Sequence, residues 1–119
     1  TLRPRKVYQV TECGQLRLTE HVCQPVTSED VSLRMAELVL RFNLLGHLGD
    51  SEASNRFLDQ FEGHLETQIQ AIKKDLQNGQ DQKSLHARLS AEYGLEIYQA
   101  TGRWIRRARK AIEESGDEK

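Results

Sequence analysis

Three groups of residues in this 119-residue chain have types and spacings that could do chemistry. The first is basic: Arg3, Arg5 and Lys6 surround Pro4. On an extended ribbon such residues suit contacts to phosphate, which position a protein on nucleic acid without reading its sequence. A solvated terminus has the same composition, and charge alone favours that plainer reading. The second group is Arg103, Arg106, Arg107, Arg109 and Lys110. On a helix these spread over several directions, with Glu92, Glu96, Glu113 and Glu114 at hand, so a solvated face is expected. The third is Cys13, His21 and Cys23, with His47, His64 and His86. No C-x2-C pair, H-x3-H pair or carboxylate–histidine array accompanies them. Cys13 and Cys23, ten residues apart, would sit about 80° off a common helix face. No metal site and no cofactor is expected. The missing Cys–His–Asp constellation, phosphate loop and paired carboxylates make an enzyme unexpected too.

Aromatic and apolar residues offer a different chemistry, that of association. Trp104 is the one tryptophan. It fits a plain core position, a dimer seam, or the wall of a cavity for a flat ligand, since an indole is a broad apolar surface with one donor. Tyr93, Ile97, Trp104 and Ile105 are the candidate dimer-interface or ligand-wall residues, with Phe57, Phe61 and Tyr98 as further aromatic walls. Gly63, Gly94 and Gly102 fall inside helical patterns, each at a cost of about 1 kcal/mol relative to Ala. Close approach of two helices would justify that cost.

The elements that position these residues read as mostly α. Hydrophobic residues are 37% and charged residues 29%, which sets the chain among folded, charge-rich domains. Seventeen basic against 18 acidic residues leave a net charge of −1, so any nucleic-acid surface must be local. No apolar run approaches a membrane span, no signal peptide is visible, and the two cysteines make no disulfide framework, so a cytoplasmic location is expected. The chain opens on Thr1 in mid-pattern, as a fragment or processed piece would.

Lys6–Val10 reads as a short, isolated strand. Thr11 caps a weak helix to about Cys23, closed by Gln24-Pro25. Thr27–Asp30 offers a second N-cap, opening a helix to Leu45 that is apolar almost all round and therefore expected to be buried. Its one coherent polar stripe is Arg34, Glu37 and Arg41. Gly46 and Gly49 end it. A third helix spans Asp50 or Ser51 to Asn78-Gly79, with Phe57, Leu58, Phe61, Leu65, Ile69, Ile72 and Leu76 on one stripe. A fourth runs from Gln82–Ser84 to Ser115-Gly116 and carries two stripes: Leu89, Tyr93, Ile97, Ala100, Trp104, Ala108, Ala111, and beside it Gly94, Tyr98, Ile105, Ile112. That face is wide enough for two neighbours. The last two helices would be about 42–48 Å long at 1.5 Å per residue, against a radius of gyration of about 13–14 Å for a compact domain of this size. Overhanging apolar helices need a cover, and a second copy is the economical one.

The stretch Arg3-Pro4-Arg5-Lys6-Val7-Tyr8-Gln9-Val10-Thr11-Glu12-Cys13-Gly14 resembles the end of the winged helix-turn-helix of PadR-type bacterial transcriptional regulators. The remainder of the chain is similar, in order and lengths of helices, to the C-terminal domain of larger members, related to virulence-gene activators of the AphA type. The resemblance implies a wing strand and exit helix over residues 1–24 and a helical dimerisation and effector domain over 25–119. It carries phosphate contact onto Arg5 and Lys6, beside Arg3, a packing aromatic onto Tyr8, and the helix-opening turn onto Thr11 and Gly14. The family's recognition helix has no counterpart in these residues. The expected function is that of a DNA-binding transcription regulator, a homodimer with a small-molecule effector as a further expected partner. A helical dimeric scaffold or adaptor with no DNA role is the alternative.

Overall fold

The computed structural model describes residues 20–49, 51–79 and 84–117. Among them all regular structure is helical. Residues 20–22 end one helix, and four more come after it: α1 (Ser28–Leu33), α2 (Met35–Leu48), α3 (Ser51–Asn78) and α4 (Leu85–Asp117). The expected strand at Lys6–Val10 and the start of the helix at Thr11 lie outside the described residues.

Helix α1 begins as its sequence dictates. The Thr27 hydroxyl accepts from the Asp30 N–H, and the Asp30 carboxylate accepts from the Thr27 N–H, both at 3.1 Å, a reciprocal capping box. The expected single helix to Leu45 does not form. Arg34, at φ −131° and ψ 35°, interrupts it after six residues. No proline or glycine marks the break. Ion pairs from Arg34 to Glu29 (3.5 Å) and Asp30 (3.4 Å) gather there. The bend brings Ser28 to Gln68 of α3, whose amide donates to the Ser28 carbonyl at 2.8 Å. Nor does Gly46 end α2. That helix runs to Leu48 and stops at Gly49, whose φ of 70° is one that glycine adopts without steric penalty.

Helices α3 and α4 form the body. Phe57, Leu58, Phe61, Leu65 and Ile69 are buried, as the stripe on α3 predicts, and Ile105 of α4 is buried against them. Val22, Val26 and Val31 join the same core, so residues 20–26 pack against the helical body. Helix α2 lies across the pair: Phe42 meets Trp104, and the Thr101 hydroxyl stands 3.5 Å from the Met35 sulfur. A radius of gyration of 18.6 Å and a long dimension of 61 Å show a body much longer than a compact globule, because the two long helices overhang the rest.

Candidate association surface

Helix α4 settles which of its two stripes faces inward. Gly94, Gly102, Ile105 and Ile112 turn toward α3: a methyl placed on Gly102 would lie 3.7 Å from Leu65 Cδ2, and one on Gly94 4.0 Å from Ile72. Both are ordinary contact distances, so these glycines face α3 but the packing does not require them to lack a side chain. Arg109 secures the contact from the side, donating to Asp59 Oδ1 at 2.7 Å and Glu62 Oε1 at 3.1 Å. Burial lowers its proton affinity, but the two carboxylates outweigh that and raise its pKa further above the ordinary arginine value. The expectation of a merely solvated basic face is thus corrected at Arg109, whose partners come from another helix rather than from the glutamates of its own.

The other stripe stays at the surface. Leu85, Leu89, Tyr93 and Ile97, four residues apart, are 55%, 50%, 62% and 41% exposed. Helix α2 stops short of them: its first residue, Met35, lies level with Thr101, one turn beyond Ile97. Of the four candidate interface residues, Tyr93 and Ile97 lie on this bare row. Trp104 lies further along, half-buried and edge-on to Phe42 at 5.4 Å. Ile105 is fully buried within the chain's own core, 100° around the helix from Trp104, and is unavailable to a second chain or a ligand. Leu85 extends the row by one turn at the same four-residue spacing, a signal the periodicity from Leu89 onward contained.

A second apolar area was hidden by the expectation of a buried helix. Leu33, Val39 and Leu40 are exposed, because α1 and α2 bury only Val31, Leu38, Arg41 and Leu45 against the body. Of the aromatic rings expected as ligand walls, Phe57 and Phe61 pack on each other at 5.9 Å, Phe57 and Trp104 both meet Phe42, and Tyr93 stands exposed.

Arg41, on the one polar stripe of the expected helix to Leu45, is only 7% exposed. Its Nη2 donates to the carbonyls of Val22 (3.3 Å) and Gln24, its Nη1 lies 3.8 Å from Asp30 Oδ2, and its guanidinium lies 5.4 Å over the Phe57 ring. A cleft of about 240 Å³ opens beside it, bordered by His21, Gln24, Asp30, Arg34 and Glu37. Arg3, Arg5, Lys6, Tyr8, Thr11 and Gly14, the candidate phosphate and wing residues, lie outside the described residues. Among the described residues no three His, Cys, Asp or Glu side chains converge on a metal position, and His47, His64 and His86 stand on three different helices. No described helix is long and apolar enough to cross a membrane.

These observations define a helical domain whose longest helix keeps one apolar face inside and another at the surface. Residues 36–113, well over half the chain, match the family described as virulence activator alpha C-term, and the chain belongs to that family. It is therefore a C-terminal domain of the transcription-regulator type. No curated protein and no solved structure matches it.

Proposed function

We propose that this chain is the self-association part of a PadR-like bacterial transcription regulator acting in the cytoplasm, a homodimer whose seam runs along α4 from Leu85 to Ile97. The row of four exposed apolar side chains carries the reading. It spans about 18 Å of helix, and contiguous apolar surface of this kind marks an interaction site. A second copy fits because a two-fold axis through the row sets the same residues against themselves. Arg88 and Glu92 flank it with both charge signs, which an antiparallel pairing can match. In this reading Arg3, Arg5 and Lys6 touch DNA phosphates, with Tyr8, Thr11 and Gly14 shaping the wing that carries them.

Sedimentation equilibrium at micromolar concentration tests the seam. The expected mass is twice 13.7 kDa. Tyr93→Glu combined with Ile97→Glu should weaken the dimer at least a hundredfold, about 3 kcal/mol, with helical circular dichroism retained because both side chains are exposed. A wild-type monomer, or a double variant that still dimerises, defeats the proposal. DNA binding separates the regulator from the scaffold alternative. Three phosphate contacts give a log–log salt slope of at most about −2.7 per chain, whereas a chain that dimerises and shows no salt-dependent DNA binding is a scaffold.

A further inference from the structure

The arriving chain meets the helical body at a clamp built around one buried arginine. The carbonyls of Val22 and Gln24, where the helix at residues 20–22 ends, both accept from Nη2 of Arg41. Carbonyls at a helix end have no partner within the helix and need a donor from elsewhere. A guanidinium suits this: it is planar, keeps its charge, and offers several donors in a fixed fork. Here the fork is held from two other sides. The Asp30 carboxylate, already fixed by the Thr27 cap of α1, stands against Nη1, and the Phe57 ring of α3 lies beneath the plane. One residue of α2 thereby joins the end of the arriving helix to α1 and α3. A third hydrogen bond fixes the chain four residues on from Val22, where the Val26 N–H donates to Gln60 Oε1 at 2.8 Å. Val22 and Val26 supply apolar anchoring, but burial is non-directional, and only the hydrogen bonds fix orientation.

We propose that Arg41 is a positioning residue: its guanidinium fixes the course of residues 20–26 over α1, α2 and α3, the segment through which residues 1–19, with basic Arg3, Arg5 and Lys6, are joined to the helical body. The link to a phosphate-bearing partner rests on the regulator reading. The clamp itself does not, and its test leaves DNA out. With Arg41 replaced by Met, a shorter side chain with no donors, the two carbonyls lose their shared partner and turn to water from the neighbouring cleft, which leaves residues 20–26 without this tie to α2.

Hydrogen exchange followed by mass spectrometry on the whole chain reads this locally. In Arg41→Met, exchange in peptides covering residues 20–26 should rise at least tenfold, while peptides from 57–69 of α3 keep their wild-type rates. Arg41→Lys, which keeps the charge beside Asp30 without the fork, should show most of the same local increase. Unchanged exchange at 20–26 in Arg41→Met overturns the proposal. So does an equal rise throughout α3, which would make Arg41 a general part of the core. Wild-type behaviour of Arg41→Lys would also overturn it, since charge alone would then suffice. Each of these results stands whether or not the chain binds DNA.

Discussion

The indole of Trp104 meets the ring of Phe42 edge-on, with centroids 5.4 Å apart and planes at 81°. This places the chain's one tryptophan where α2 docks on α4, and the geometry is that favoured by the ring quadrupoles. Phe42 also touches Phe57 of α3 at 6.0 Å, so the three rings link three helices. Phe42→Ala removes the middle ring. Because Phe42 is only half-buried, the expected loss is about 2–3 kcal/mol, below that for a fully buried Phe. Tryptophan emission should shift to the red in the folded state. Urea unfolding and fluorescence check both, and a stability within about 0.5 kcal/mol of wild type would show that α2 docks without this contact.

Asp30 gives the acid side of the stability profile its expected form. Burial pushes its carboxyl up, but the hydrogen bonds from Thr27, followed by the charge of Arg41 and the hydrogen bond from Arg34, outweigh that and hold it below its ordinary value of 3.8. A carboxyl depressed by folding contributes stability that is full above its unfolded pKa and is lost as pH falls through its folded one. Asp30→Asn should therefore be less stable than wild type by a constant amount above a pH of about 5, with the gap closing below that. Urea midpoints from pH 2.5 to 7 measure it. A gap that widens toward low pH would reverse the assigned sign.

Gly63 and Gly102 separate two roles for glycine in a helix. A methyl on Gly63 meets nothing within 4 Å, so Gly63→Ala should stabilise by about 0.5–1 kcal/mol through backbone propensity. At Gly102 a methyl reaches Leu65 at ordinary contact distance, so Ala fits there as well, but Gly102→Leu must push α4 off α3. A loss of about 1–3 kcal/mol is expected from such overpacking. Thermal unfolding of the three variants tests the contrast, and a harmless Leu at 102 would place the α3–α4 contact elsewhere.

Local signals in the sequence determined much of this fold. Thr27 and Asp30 specify a cap through atoms three residues apart, and Ser51–Asn78 shows its inward face because five apolar side chains recur at helical spacing. Such features need no knowledge of the rest of the chain. Only the tertiary structure decided which apolar stripe of α4 is used internally. Periodicity places Trp104 and Ile105 on adjoining stripes, and α3 packs on the side of Ile105, Gly94 and Gly102, leaving Tyr93 and Ile97 outside. The break at Arg34 and the exposure of Leu33 and Leu40 were equally hidden, since no breaker residue stands there and the start of α1 is tied to α3 by Gln60 and Gln68, residues more than 30 positions away. Arg41 shows the difference most plainly. On its own helix Arg41 shows only as part of a polar stripe, and its role appears once two carbonyls 17 and 19 residues earlier, an aspartate and a phenylalanine are brought around it. Local sequence fixes which way a residue points on its own helix, while its partners depend on how the helices pack.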